Sequence, residues 1–261
     1  MMLPIIHIGP LAIQLPGLLL LAGVWLGTAA TDSQAGRLRL SRATLQNLIL
    51  FGLVSGVLGA RLGYAARFLN VYAENPLGLI SLQPATLSPG AGLIAGLLAC
   101  WVYGQRKRLP FWATADALAP GLAVFSLSTG MAHLASGDAF GAPARVPWAV
   151  ELWGDMRHPS QIYEILFAGL ALMVILEISR RQTFPGCVSL VWVALASASR
   201  LFLEAFRGDS VLLIGGIRSA QILAVMTLLA ALALMRSLAT ASSRAASPAR
   251  GARISDGIEC L

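Results

Sequence analysis

RHPSQIYE, residues 157–164, stands at the mouth of an apolar run that continues to Ile178, and its reading decides what the rest of the chain must build. His158, Gln161, Tyr163 and Glu164 fall where a membrane helix begins. An unpaired hydrogen-bonding group in lipid costs several kcal/mol. Side chains of this kind, set so close together, predict a protein-lined cavity rather than a lipid-facing surface.

Composition supports a membrane setting. Of 261 residues, 57% are hydrophobic and 12% charged, which excludes an ordinary soluble surface. The 26 glycines fit helices that approach closely in a bilayer. The formal charge of +7 comes almost wholly from arginine, and no basic stripe alternates with exposed aromatics, so no nucleic-acid partner is expected. Cys100, Cys187 and Cys260 lie far apart and form neither a disulfide framework nor a metal spacing; no metal and no cofactor are expected. The start, MMLPIIHIGPLAIQL, has no Lys or Arg before its apolar run, so the first helix is expected to stay in the mature protein.

Given about 20 residues per membrane helix, seven runs are long enough to span, near 11–31, 45–69, 87–104, 112–136, 161–179, 186–206 and 214–239. The arginines test this independently. Arg37, Arg39 and Arg42 follow the first run, Arg106, Lys107 and Arg108 the third, Arg180 and Arg181 the fifth, and Arg236, Arg244, Arg250 and Arg253 the seventh. A seven-span path puts these loops on one side, which the positive-inside rule makes cytoplasmic. The stretch 70–86 has neither Lys nor Arg, and 137–160 has only Arg145 and Arg157. The expected fold class is therefore all-α: a polytopic membrane protein with about seven transmembrane helices, N-terminus outside and C-terminus cytoplasmic. Residues 1–239 are expected to form a single domain, with an external loop near 137–160 whose Trp148 and Trp153 suit the headgroup level. Residues 240–261 read as a disordered tail.

Several residues within these runs resist burial in lipid: Arg61 and Arg67, Asp116 and His133, Glu164, Arg200 and Glu204. A charge at a helix centre costs about 2.5 to 3.5 kcal/mol, so together they imply compensation by one another, by water or by an anionic ligand. Arg200 and Glu204 are spaced i, i+4, with Arg207 three further on; a structural ion pair and a binding site both fit that face. Gly52, Gly56 and Gly59 form a small-residue seam leading to Arg61, which close packing explains. PGAGLIAG, from Pro89, opens the third run as a broken helix start that suits either an anion or close packing.

In order along the chain, LAIQLPGLLLLAGVWLG, GARLGY, PGAGLIAG, DALAPGLAVFSLSTGMAHLASGDAFG, RHPSQIYE and SRLFLEAFRGD resemble the bacterial phosphatidylglycerol-prolipoprotein diacylglyceryl transferases, over residues 9–240. RHPSQIYE is the specific part and SRLFLEAFR supports it. The resemblance implies transfer of a diacylglyceryl group from phosphatidylglycerol to the lipobox cysteine thiol of a prolipoprotein, with release of glycerol phosphate, in the bacterial plasma (inner) membrane. The implied partners are phosphatidylglycerol and other membrane lipid, and a prolipoprotein signal peptide. Arg200 matches the family's essential arginine of the sixth span, followed by Glu204 and Arg207 as in the family, and Arg61 matches an arginine of the GARLGY segment. An arginine suits a phosphate because its planar fork is always charged and bonds in pairs.

The chain also departs from that pattern. Where the family has Gly-Arg-x-Gly-Asn-Phe-x-Asn-Gly-Glu, residues 129–138 read TGMAHLASGD: Gly130 replaces the arginine, His133 and Ser136 the asparagines, and Asp138 the glutamate. The family's His-Gly-Gly reads Gly90, Ala91, Gly92, and its tyrosine before Gly17 reads Pro16. His133 suits a base that activates the thiol; it equally suits a polar helix residue bonded to Asp116 or Ser136. The expected catalytic residues are Arg200, Glu204 and His133. The expected substrate-binding residues are Arg61, Asp138, His158, Gln161, Tyr163 and Arg207, with His158 also holding its loop against the fifth span, since Arg157 and Pro159 fix a local turn. The alternative is a non-catalytic paralogue that binds anionic phospholipid or a lipoprotein precursor. A hydrolase is disfavoured, because Asp155, His158 and Ser160 crowd into one loop. A transporter is disfavoured for want of a repeated half.

Overall fold

The computed structural model describes residues 5–8, 11–74, 78, 86–181, 183–208 and 218–255 of the chain. Among them each of the seven apolar runs contains a helix. The helices are α1 (Leu15–Arg37), α2 (Arg42–Ala65), α3 (Leu69–Glu74), α4 (Pro89–Arg106), α5 (Phe111–Ser136), α6 (Ser160–Ile178), α7 (Cys187–Glu204) and α8 (Ser219–Ser255). Six of these, α1, α2, α5, α6, α7 and α8, are long and apolar enough to cross a membrane. The protein is an all-α polytopic membrane protein. α4, the third expected span, has 18 residues and is outside those six; Pro89, its glycines and the closing Gln105 and Arg106 dilute its hydropathy. Leu21, Trp25, Leu166 and Leu223 are among many large apolar side chains that stand exposed. In a bilayer the solvent for them is lipid.

Two details differ from the sequence reading. Residues 11–14, expected in the first span, form strand β2 (Leu11–Gln14), antiparallel to β1 (Ile5–Ile8). Ile5, Ile6, Ile8 and Ile13 are β-branched and favour that state. α8 continues beyond 239, through the Ser-, Ala- and Arg-rich stretch to Ser255. Residues 214–217, expected at the start of the seventh span, lie outside the described residues.

The chain divides into two compact units, residues 35–114 and residues 1–34 with 115–261. In the smaller unit α2 and α4 pack backbone to backbone. A Cβ added to Gly92 would stand 2.8 Å from the Gly56 carbonyl oxygen, and one on Gly96 would stand 3.0 Å from that of Gly52. No larger residue fits there, so the glycine seam is a packing device. Beside it the Ser88 N–H donates to Ala60 O at 2.9 Å.

In the larger unit, α1 meets α5 through Gly27 and Gly121, where a Cβ on Gly27 would lie 2.9 Å from the Gly121 carbonyl oxygen. Ala119, Ala123, Ile175 and Val188 join α5, α6 and α7 in a buried core. Asp116 is buried and caps α7: its carboxylate accepts from Gly186 N at 2.6 Å, Ser189 N at 2.8 Å and Ser189 Oγ at 2.9 Å. A carboxylate there satisfies helix N–H groups that lipid cannot, and it faces the positive end of the helix dipole.

Residues 137–160 are more ordered than a surface loop. Strands β3 (Val150–Leu152) and β4 (Asp155–Arg157) pair antiparallel. The Ala144 N–H donates to Met156 O at 2.9 Å and His158 N–H to Ala142 O at 3.1 Å, so the segment around 142–144 lies beside β4. On its other side Ala142 N–H donates to Phe206 O at 2.7 Å and Gly208 N–H to Phe140 O at 3.0 Å. The close of α7 is thereby tied to the approach to α6. Arg157 binds this web together, donating to Leu152 O at 3.1 Å and Gly141 O at 3.3 Å and pairing with Asp155 at 2.7 Å.

Candidate functional site

The site is built where α5, α6 and α7 face one another. RHPSQIYE does two jobs there. Ser160 Oγ donates to Ala139 O at 2.6 Å and Gln161 Nε2 to Asp138 O at 2.9 Å, which fastens the first turn of α6 to the residues that leave α5. One turn further on, Glu164 Oε2 lies 2.8 Å from His133 Nδ1 on α5. The two side chains keep 20% and 30% of their surface accessible. His133 is bonded to neither Asp116 nor Ser136 through its ring: Asp116 serves α7, and Ser136 Oγ donates to the backbone oxygen of His133.

Glu164 also lines a cavity of about 150 Å³, together with Ser126 of α5 and Trp192, Ser199, Arg200 and Leu203 of α7. One wall therefore carries a carboxylate and another a guanidinium, with serines and alanines between. Arg200 Nε lies 3.4 Å from Glu204 Oε2; the arginine is 46% exposed and the glutamate 2%. This is an ion contact without hydrogen-bond alignment, since Glu204 Oε2 is buried with no hydrogen-bond partner among the described residues. Such an atom in a low-dielectric site is an acceptor awaiting a donor.

A second, wider hollow of about 420 Å³ runs beside α6 and α7, lined by Trp148, His158, Tyr163, Phe167, Phe202 and Phe206 among others. Its lining is almost wholly apolar and suits hydrocarbon. Tyr163 OH accepts from Trp148 Nε1 at 2.7 Å. The His158 ring packs edge-on against Phe206 at 5.2 Å, and its Nδ1 is buried without a hydrogen-bond partner among the described residues.

The structure thus gathers Arg200, Glu204, His133, His158, Gln161 and Tyr163 into one region. Asp138 joins them through its backbone, its side chain being exposed. Arg207 pairs by its backbone with Gly141. Arg61 belongs to the other unit, where it is buried and donates to Thr86 O at 3.0 Å, to Thr86 Oγ1 and to Gly78 O, with its guanidinium over the Tyr72 ring at 5.8 Å. Those contacts tie Arg61 to Gly78 and Thr86, a role that the sequence reading of Arg61 as a headgroup ligand did not include. The partnership of Glu164 with His133 was also missed. The sequence marks both as misfits in lipid, but nothing in it pairs residues 31 positions apart on different helices.

Gly130 explains how the two meet. A Cβ there would stand 3.1 Å from Ile165 Cγ1, 3.3 Å from Ile165 N and 3.4 Å from Glu164 Cγ, so α6 rests directly on the α5 backbone. Gly90, by contrast, faces open space at the start of α4.

A membrane-spanning helical bundle whose interior sets a guanidinium and a carboxylate, the latter bonded to an imidazole, around a small cavity beside a hollow fit for hydrocarbon has the chemistry that suits a charged amphiphile within the bilayer. The comparisons narrow the class. The family model for prolipoprotein diacylglyceryl transferase matches residues 4–237, and the chain belongs to that family. It is 33% identical over 213 residues to the phosphatidylglycerol-prolipoprotein diacylglyceryl transferase of Photobacterium profundum, covering 78% of this chain and 79% of that one. The transferase of the same name from Rhizobium meliloti is 32% identical over 219 residues, 78% of each chain. That of Clostridioides difficile is 27% identical over 210 residues, 80% of this chain and 84% of its own.

Proposed function

We propose that this protein transfers the diacylglyceryl group of phosphatidylglycerol to the lipobox cysteine thiol of a prolipoprotein at the outer face of the bacterial inner membrane. The observation that carries the reading is the cavity walled by Arg200 and by Glu164, with His133 bonded behind the glutamate. Arg200 binds the lipid phosphate. His133 takes the thiol proton, the thiolate sulfur attacks the glyceryl carbon that bears the phosphate ester, and the C–O bond breaks as the C–S bond forms. The electron pair leaves with glycerol phosphate, whose charge Arg200 offsets; the proton passes from the imidazolium to solvent. Glu204, buried against Arg200, keeps that guanidinium in place. Trp148, Tyr163 and Phe206 line the hollow that takes acyl chain. The arginine-rich ends of α1, α4, α6 and α8 support an N-terminus outside and a cytoplasmic C-terminus.

The test is mass spectrometry of a lipobox peptide incubated with purified protein in phosphatidylglycerol bilayers. A thioether-linked diacylglyceryl adduct is expected. Gly130 and Gly90, which stand where the family has Arg and His, favour the competing reading, a chain that binds anionic phospholipid without transfer. Protection of the protein by phosphatidylglycerol with no adduct would establish it.

A further inference from the structure

We infer that Glu164 is the positioning residue of the reaction: its carboxylate holds His133 with the proton on Nδ1, so that Nε2 is the nitrogen that accepts the thiol proton. This deepens the transfer reading and rests on it. An imidazole is a base at one nitrogen only if the other is committed as a donor, and an acceptor fixed at that other nitrogen selects the tautomer. Glu164 Oε2 at 2.8 Å from Nδ1 is such an acceptor.

Three features make the contact a built one. The bonds from Ser160 to Ala139 and from Gln161 to Asp138 set the antiparallel register of α6 against the end of α5. The absent side chain at Gly130, one turn before His133, lets α6 close onto α5 beside Glu164. Glu164 also reaches the cavity that Arg200 lines, so one side chain bridges the imidazole and the space where substrate would sit. The charged groups that line this cavity are Glu164 from α6 and Arg200 from α7; Glu204 stands behind Arg200, and Asp138 lies five residues past His133 in the chain.

Two measurements on the full-length protein in phosphatidylglycerol nanodiscs test this. The first is nitrogen NMR of the labelled histidines at the pH of the transfer assay. The chain has three histidines, and His133→Asn and His158→Asn assign the signals. His133 is expected as the neutral Nδ1–H tautomer, a signature lost in Glu164→Gln and regained in part in Glu164→Asp. The second is the kinetics of adduct formation, where Glu164→Gln should lower kcat about ten- to a hundredfold with KM changed less than about twofold, and Glu164→Asp should recover part of the loss. A His133 protonated on both nitrogens, or a tautomer unchanged in Glu164→Gln, overturns the assignment whatever the activity. A wild type that shows the tautomer and forms no adduct instead overturns the transfer reading.

Discussion

At the scale of single residues, Arg200 and Asp116 show how one membrane protein uses charge in two ways. Both sit in spans that should reject them. Asp116 is fully spent on Gly186 and Ser189, and its role is to start a helix. Replacing it with alanine strands two backbone donors and should lower stability by about 2 kcal/mol, read as a fall in thermal unfolding temperature in detergent. Arg200 is 46% exposed and, among the described residues, makes only an unaligned contact with Glu204, so its guanidinium has donors left for a ligand. Arg200→Ala should cost about a hundredfold or more in transfer rate, with unfolding close to wild type; Arg200→Lys should fall between, because an ammonium keeps the charge and loses the fork. Mass-spectrometric rates across the three proteins check this order. The sequence made both residues visible as misfits. Only the resemblance of SRLFLEAFR singled out Arg200; the span pattern itself did not separate them, because the partners that hold Asp116 lie on another helix.

At the scale of elements, the helices were legible because apolar runs and arginine clusters each mark them, and the two signals agree. The register between helices was not. Gly56 and Gly92 sit on different helices, and only their approach shows that Gly92 has no room for a side chain. Gly92→Ala would place a Cβ 2.8 Å from a carbonyl oxygen, forcing α2 and α4 apart at a cost of about 1 to 3 kcal/mol. Gly104→Ala, on the same helix with nothing within 4 Å, should instead stabilise by about 0.5 to 1 kcal/mol. Opposite shifts in unfolding temperature would verify that contrast. The small sheet over 140–157 leaves no mark in the sequence beyond that of a loop, since strands of three residues make too short a pattern to recognise.

At the scale of the whole molecule, the arginine-rich helix ends predict an orientation that labelling can read. With the native cysteines replaced by serine, Glu151→Cys in β3 should react with a membrane-impermeant maleimide added to intact cells. Lys107→Cys, beyond α4, should react only after the membrane is opened. The reverse pattern would turn the molecule over and bar the active region from a secreted substrate. The fold class was readable from composition together with the length of the apolar runs. The candidate site was readable in part: Arg200, Glu204, Gln161 and Tyr163 come from contiguous motifs, whereas the link between His133 and Glu164 depends on how two spans meet.

The hold of Asp116 on the beginning of α7 reaches further than its own neighbourhood. A helix is a stiff rod of about 1.5 Å per residue, so anchoring Ser189 fixes the depth at which Arg200, eleven residues on, hangs in the bilayer. On the proposed transfer reading, the level at which Arg200 meets a phosphate is thus decided at the opposite end of α7, and loosening that mooring would silence chemistry that it never touches.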